Sequence, residues 1–293
     1  MKNFTIRTIT GFLLVILIIS ALFFSSLSFA ILFFFILLGT LHEFYSMIRR
    51  GKIHPQTIYG MAIAGTFYIL CFLNSVGFIE TSFLLLVIPL MIMVYISELF
   101  YRENRPFHNI AYTFLGLIYI GLPFSLFHYM VFETTESLNI HNGENVDIVN
   151  FIFQPEYRVI YHYQVLLGFF FLHWMNDTGA YLVGMTLGRH KLIKRISPKK
   201  SWEGLIGGAL FALLTGYLLS RFFPMLGLVN WLAISVIVIV FGTLGDLSES
   251  MLKRYLGLKD SGSILPGHGG LLDRFDGILL SSPVVFVFLQ MIY

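Results

Sequence analysis

Between Gly245 and Asp276 the chain concentrates groups that could handle a charged substrate. Asp246 and Glu249 come first, then Lys253, Arg254, Lys259 and Asp260. The run Pro266-Gly267-His268-Gly269-Gly270 follows, and then Asp273, Arg274 and Asp276. Carboxylates interleaved with ammonium and guanidinium groups suit a metal ion together with a phosphorylated substrate. Asp246, Glu249, Ser250 and Lys253 recur at helical spacing and share one face, as do Asp273 and Asp276. Hard oxygen donors suit Mg²⁺, which keeps waters and typically takes one or two carboxylates plus substrate phosphates. Glycines between the two acidic groups let the backbone adopt positive φ and turn N–H groups toward an anion. A plainer reading stands beside this one: a glycine turn between two helices, with Glu249 and Lys253 supporting each other at i,i+4.

A second cluster precedes it. The segment Leu187 to Gly204 holds Arg189, Lys191, Lys194, Arg195, Lys199 and Lys200. Such a loop could be a topogenic anchor that touches anionic lipid. That explains Ser197-Pro198-Lys199-Lys200-Ser201 less well, where a proline turn, two hydroxyls and two ammonium groups precede a new helix at about Ser201–Gly204. Free N–H groups at a helix start bind anions, and lysines add point charge for phosphate. Two further acids, Glu43 and Asp177, fall in apolar surroundings with Asp246, and a carboxylate at bilayer depth is by default a functional hypothesis. For Glu43, followed by Phe44, Tyr45, Arg49 and Arg50, an interfacial position competes equally. Asp177 lies between Asn176 and Thr178 in mid-span, so these residues must face protein or water.

The elements that carry these groups are apolar. Of 293 residues 57% are hydrophobic and 12% charged, against about 25% charged in soluble domains. Mean hydropathy is +0.80. Most of the chain must therefore be solvated by a bilayer, and the expected fold is an all-α polytopic membrane protein. A spanning helix needs about 20 mostly apolar residues. Nine spans are expected, at 9–25, 29–48, 57–75, 81–97, 110–131, 164–187, 204–222, 229–248 and 278–293, with Ser25, Ser26 and Ser28 offering the turn that separates the first two. The apolar run after Lys2 and Arg7 leads into more apolar sequence, so it reads as a span and not as a cleaved signal.

Cytoplasmic loops collect Lys and Arg. With the N-terminus inside, the inner segments hold 17 of the chain's 19 such residues, leaving out Arg158 and Arg221. The expected topology is N-in, C-out, with both polar clusters facing the cytoplasm. Two regions are expected: 1–163, with five spans and an acidic outer loop, and 164–293, with four spans and the site loops. The single Cys71 excludes an internal disulfide.

The stretch Ser250 to Asp276 resembles the signature of the phosphatidate cytidylyltransferase (CDP-diacylglycerol synthase) family. It matches at Ser250, Lys253, Arg254, Lys259, Asp260, Gly262, Pro266 to Gly270, Asp273, Arg274 and Asp276. Asn176 to Tyr181 and Ser197 to Gly204 are similar to the same family, so the likeness is strong over about 165–277. It implies that CTP and phosphatidate from the cytoplasmic leaflet give CDP-diacylglycerol and pyrophosphate. By resemblance, Asp246 and Asp273 hold Mg²⁺, with a second metal or a monovalent cation as an option. Ser197, Lys199, Lys200 and Ser201 hold phosphates or the leaving group. Lys253, Lys259, Arg274, Gly267, Gly269 and Gly270 serve either phosphate, His268 donates to one, and Asp177, Glu249 and Asp276 complete the polar site. Membrane lipids are expected partners, a homodimer through an apolar contact of the C-terminal spans is an open option, and no nucleic acid is expected.

Two rivals stay in view. An ion-coupled transporter would use Asp177 and Asp246 near the midplane, but gives no role to the Ser-Pro-Lys-Lys loop. A CTP-dependent polyprenol kinase-like enzyme shares the nucleotide and lacks a reason for the full signature.

Overall fold

Ser25 ends the first helix and starts the second. Its backbone is extended, with φ −174° and ψ 155°, and its hydroxyl accepts the Leu27 N–H at 3.0 Å. This is an N-cap supplied where the sequence offered its serines. The computed structural model describes residues 2–100, 105–135, 158–258, 260–262 and 269–292. The helices among them are α1 (Lys2–Phe24), α2 (Ser26–Arg50), α3 (Thr57–Ser75), α4 (Val87–Phe100), α5 (Pro106–Gly116), α6 (Leu122–Val131), α7 (Tyr163–Leu187), α8 (Trp202–Phe222), α9 (Leu228–Ile237), α10 (Thr243–Tyr255) and α11 (Leu272–Ile292).

Several of these join into longer rods. A 3-10 segment, Thr81–Leu86, leads into α4. π-helical turns, Leu117–Gly121 and Val238–Gly242, join α5 to α6 and α9 to α10. Among the described residues seven rods are long and apolar enough to cross a membrane: Ser26–Arg50, Thr57–Ser75, Thr81–Phe100, Pro106–Val131, Trp202–Phe222, Leu228–Tyr255 and Leu272–Ile292. The protein is thus an all-α polytopic membrane protein. Helices α1 and α7 stand where the remaining two spans are expected; Ile9–Phe24 of α1 is apolar but shorter, and α7 carries His173, Asn176, Asp177 and Thr178 within its length. Two short antiparallel ribbons complete the picture: β1 (Phe132–Thr135) with β2 (Arg158–Tyr161), and β3 (Lys191–Ile193) with β4 (Ser197–Ser201). Most of the acidic outer loop lies outside the described residues.

The chain divides into two units. The first is Met1–Tyr163 with Asp260–Leu272, the second Gln164–Lys259 with Asp273–Tyr293. In the first, α2 is the central rod. Phe29, Phe33, Phe44 and Tyr45 on it are fully buried, and the Tyr45 hydroxyl donates to the Thr113 carbonyl at 2.8 Å. Gly116 makes room for that ring, since a Cβ there would come within 2.6 Å of it. A buried polar network ties the loop before α3 to α4 and α5. Asn109 Nδ2 donates to Glu98 Oε1 at 2.8 Å, and the Gln56 amide donates to the other carboxylate oxygen. The Gln56 N–H donates to Thr113 Oγ1 at 2.8 Å. Each partner satisfies the next, which is the condition for a buried polar group to be tolerated. The segment Asp260–Leu272 groups with this unit because it is anchored on α2. The Leu272 N–H donates to Glu43 Oε2 at 2.9 Å, and Leu271 packs on Gly39.

In the second unit, small residues let backbones approach. A Cβ on Gly208 would lie 2.7 Å from the Asn176 carbonyl, and one on Gly204 3.0 Å from that of Ala180. This is the small-residue packing by which membrane helices cross closely, and it lays α8 on the polar turn of α7. A second close crossing joins α10 to α11. A Cβ on Gly245 would meet the Asp276 carbonyl at 2.5 Å, and one on Gly277 the Gly242 carbonyl at 3.0 Å.

Candidate functional site

These two crossings place acids side by side. Asp177 and Asn176 come from α7, Asp246 from α10, and Arg274 and Asp276 from the first turns of α11. All five line one cavity of about 510 Å³ within the second unit. The π turn Val238–Gly242 sits just ahead of Asp246, and Thr243 Oγ1 donates back to the Ile239 carbonyl at 2.7 Å. Widened turns of this kind are common at functional sites.

The β3–β4 ribbon supplies the cations. Ser197-Pro198-Lys199-Lys200-Ser201 forms a strand and not the proline turn expected from its sequence. Pairing with Lys191–Ile193 decides this, with Lys191 opposite Ser201 and Ile193 opposite Ser197. Pro198 lacks an N–H but is tolerated in so short an edge strand. The ribbon is clamped to α8 at its open end, where Lys191 faces Ser201. Trp202 N–H donates to the His190 carbonyl at 2.9 Å. Glu203 accepts the Arg189 and His190 N–H groups, each at 3.1 Å, and lies 2.6 Å from His190 Nδ1. Ser201 is the N-cap of α8, accepting the Gly204 N–H at 3.1 Å. Lys199, Lys200 and Ser201 then line the cavity, and Lys200 Nζ is 2.5 Å from Asp246 Oδ2.

A second charge cluster lies on the same two helices. Lys253 Nζ is 2.6 Å from both Glu249 Oε2 and Asp273 Oδ1. Glu249 is wholly buried, so this one ammonium compensates its carboxylate where water does not. Ser250 Oγ donates to Asp246 Oδ1 at 3.3 Å, which confirms the shared face read from the spacing.

The expected site residues therefore fall into three sets. Asp177, Lys199, Lys200, Ser201, Asp246, Arg274 and Asp276 meet at the cavity. Lys253, Glu249 and Asp273 form the ion cluster and are not on the cavity wall, and Ser197 begins β4 away from it. Gly269, with φ +85°, and Gly270 belong to the stretch anchored on α2. Lys259, Gly267 and His268 lie outside the described residues.

The structure adds His173 and Thr243 to the wall. His173 is buried, with Nε2 2.8 Å from Ser281 Oγ, which joins α7 to α11. Its position four residues before Asp177 puts both on one helix face, a signal the sequence contained. Asn176 is 6% exposed, and its Oδ1 has no hydrogen-bond partner among the described residues. An orphaned acceptor on a cavity wall is a group a bound donor or cation would satisfy. Among the described residues no cluster of three or more His, Cys, Asp or Glu has metal-binding geometry. Mg²⁺ does not need one, because it commonly takes one or two carboxylates and completes its shell with water and phosphate. The oxygen donors present fit it.

A family model described as "Cytidylyltransferase family" matches residues 5–292. The chain is 31% identical over 287 residues to a protein of Staphylococcus haemolyticus strain JCSC1435 named phosphatidate cytidylyltransferase, covering 97% of this chain and 98% of that one. It is 37% identical over 202 residues to a protein of the same name from Staphylococcus aureus strain COL, covering 68% and 66%. A Staphylococcus saprophyticus protein, also so named, is 35% identical over 202 residues, again 68% and 66%.

Proposed function

The chain belongs to the cytidylyltransferase family, and on that premise we propose that it transfers the cytidylyl group of CTP to phosphatidate, giving CDP-diacylglycerol and pyrophosphate. One observation carries the reading: a single cavity sets Lys199, Lys200 and Arg274 beside Asp177, Asp246 and Asp276. The cations suit two phosphate-bearing substrates, and the carboxylates suit a divalent ion. Its volume of about 510 Å³ is that of a small-molecule site.

In the reaction an oxygen of the lipid phosphate bonds to the α-phosphorus of CTP. The bond from that phosphorus to the oxygen bridging to the β-phosphate breaks, and pyrophosphate leaves with both electrons. A phosphate monoester is already anionic near neutral pH, so no strong general base is needed. What the chain must supply is positioning and charge. Lys199, Lys200 and Arg274 draw two polyanions into one cavity and offset the charge that builds on the leaving group. Asp246 holds the Lys200 ammonium in place. Asp246 and Asp273 would hold Mg²⁺; each carboxylate also pairs with an ammonium, Asp246 with Lys200 and Asp273 with Lys253, and Asp276 adds an oxygen donor on the cavity wall. When bound, the ion would neutralise nucleotide phosphate charge.

Two features support access from a bilayer. Tyr181 and Met185 line the cavity yet are 66% and 64% exposed, so the rim continues onto an apolar helix surface that acyl chains can follow. The Lys/Arg distribution favours a cytoplasmic position for the β3–β4 ribbon, on the side where CTP is found.

The test is pyrophosphate release by the purified full chain in mixed micelles with CTP, Mg²⁺ and phosphatidate, each omitted in turn. Release that requires all three is expected. CDP formation with a lipid alcohol instead would favour a kinase, and no turnover with any lipid would overturn the enzyme reading.

A further inference from the structure

Glu43 is a carboxylate 3% exposed in the last third of an apolar helix, and the cavity chemistry does not use it. Its Oε2 accepts the Leu272 N–H at 2.9 Å, across 229 residues of sequence. Leu272 is the first residue of α11. The first N–H groups of a helix have no acceptor within it, and a carboxylate there makes a charge-assisted bond and meets the positive end of the helix dipole. The chain is shaped to admit this carboxylate. A Cβ on Gly262 would collide with Glu43 Oε1, and one on Gly270 would collide with the same oxygen and with Ser261 Oγ. Two glycines of the stretch before α11 are thus spaces for one side chain of α2. The residue after Leu272 is Asp273, which Lys253 holds, and Arg274 and Asp276 follow within the same turn.

We propose that Glu43 is a positioning residue for turnover: it fixes the residue at which α11 begins, and through it the placement of Asp273, Arg274 and Asp276. The inference rests on the cytidylyltransferase reading for its activity readout. Glu43 touches no substrate in this scheme. Its removal should therefore lower kcat more than it weakens CTP binding, because Lys199 and Lys200, two of the three cations that draw in the substrates, are set by the β3–β4 ribbon.

The experiment compares the wild-type full chain with Glu43→Ala, Glu43→Gln, Glu43→Asp and Gly262→Ala in mixed micelles. It measures kcat and KM for CTP separately, thermal unfolding, and hydrogen exchange over 269–276. Glu43→Ala should lower kcat by roughly 10- to 100-fold, the loss that misplacement by about 1 Å produces, with KM within about threefold. Glu43→Gln keeps an acceptor at the same reach and should recover most of kcat. Glu43→Asp is one methylene short and should not. Gly262→Ala should reproduce Glu43→Ala by displacing the carboxyl, which tests the idea even if the alanine variant folds poorly. Exchange at Leu272 should rise wherever kcat falls. Wild-type kcat in Glu43→Ala, or a loss that tracks only the folded fraction with no Gln rescue, overturns the proposal. If the wild type shows no CTP-dependent turnover, the cytidylyltransferase reading fails, and exchange alone then decides: unchanged exchange over 269–276 in Glu43→Ala overturns the anchoring role, and raised exchange upholds it.

Discussion

Lys200 and Asp246 are each other's counter-charge at 2.5 Å, on a strand and a helix that the chain brings together from separate segments. Lys200→Ala should raise KM for CTP by about tenfold while KM for phosphatidate changes little, as expected for one charge-assisted phosphate contact. An unchanged CTP dependence would return the ribbon to a topogenic role. Asp273→Asn should abolish pyrophosphate release with the protein still folded, since it removes both a carboxylate and the partner of Lys253; wild-type rates would remove any role for it in turnover. Lys253→Met leaves the buried Glu249 uncompensated. It should destabilise the fold by about 3–5 kcal/mol, read as a fall in the thermal midpoint in detergent, and the further change Glu249→Gln should restore part of it. The residue types of this site were legible in the sequence, because charged groups are conspicuous in an apolar chain. Their pairing was not. Spacing along one helix gave Asp246 with Ser250 and Glu249 with Lys253, but Lys200 with Asp246 and Glu43 with Leu272 depend on tertiary approach, which no local pattern encodes.

At the scale of elements, the crossing of α7 and α8 holds the polar turn Asn176-Asp177 in place. Gly208→Leu should drive the helices apart at the Asn176 carbonyl, 2.7 Å from where its Cβ would lie. The expected result is loss of at least about 90% of activity, with overpacking costing on the order of 1–3 kcal/mol of stability; full activity would show that the cavity tolerates a wider crossing. The helices were readable as apolar lengths, and the spacing of their polar residues pointed to helix beyond the expected span ends. The last rod begins at Leu272, ahead of the span expected from 278, with Glu43 accepting its first N–H. The rod through α10 runs past 248 to Tyr255, with Glu249 and Lys253 paired on its polar face. β4 is a strand only by virtue of its partner, and neither π turn changes the hydropathy that a sequence reading follows.

For the whole molecule, the nine positions expected to span carry helical rods, and among the described residues seven rods are long and apolar enough to cross a membrane. Bulk hydrophobicity specifies this much, since it needs no knowledge of which rod touches which. Placement of Asp260–Leu272 with the first unit depends on that knowledge. Sidedness can be checked directly. In a Cys71→Ala background, Cys71 being buried, Lys194→Cys should react with an impermeant thiol reagent only from the cytoplasmic side. Gly227→Cys, at a position open to solvent, should react only from the outside. The reverse pattern would invert the expected topology and remove the site from the nucleotide pool.

The π turn Val238–Gly242 has a consequence for how this chain can vary. A π turn holds one residue more than the α turn it replaces, over nearly the same rotation, so Val238–Gly242 stores one residue of slack. Deleting one residue there would regularise the helix and leave Asp246 still facing Lys200. Loss of a second, with no wide turn left to absorb it, would swing Asp246 by about a quarter-circle. The membrane would accept either shortened chain, and the chemistry only the first.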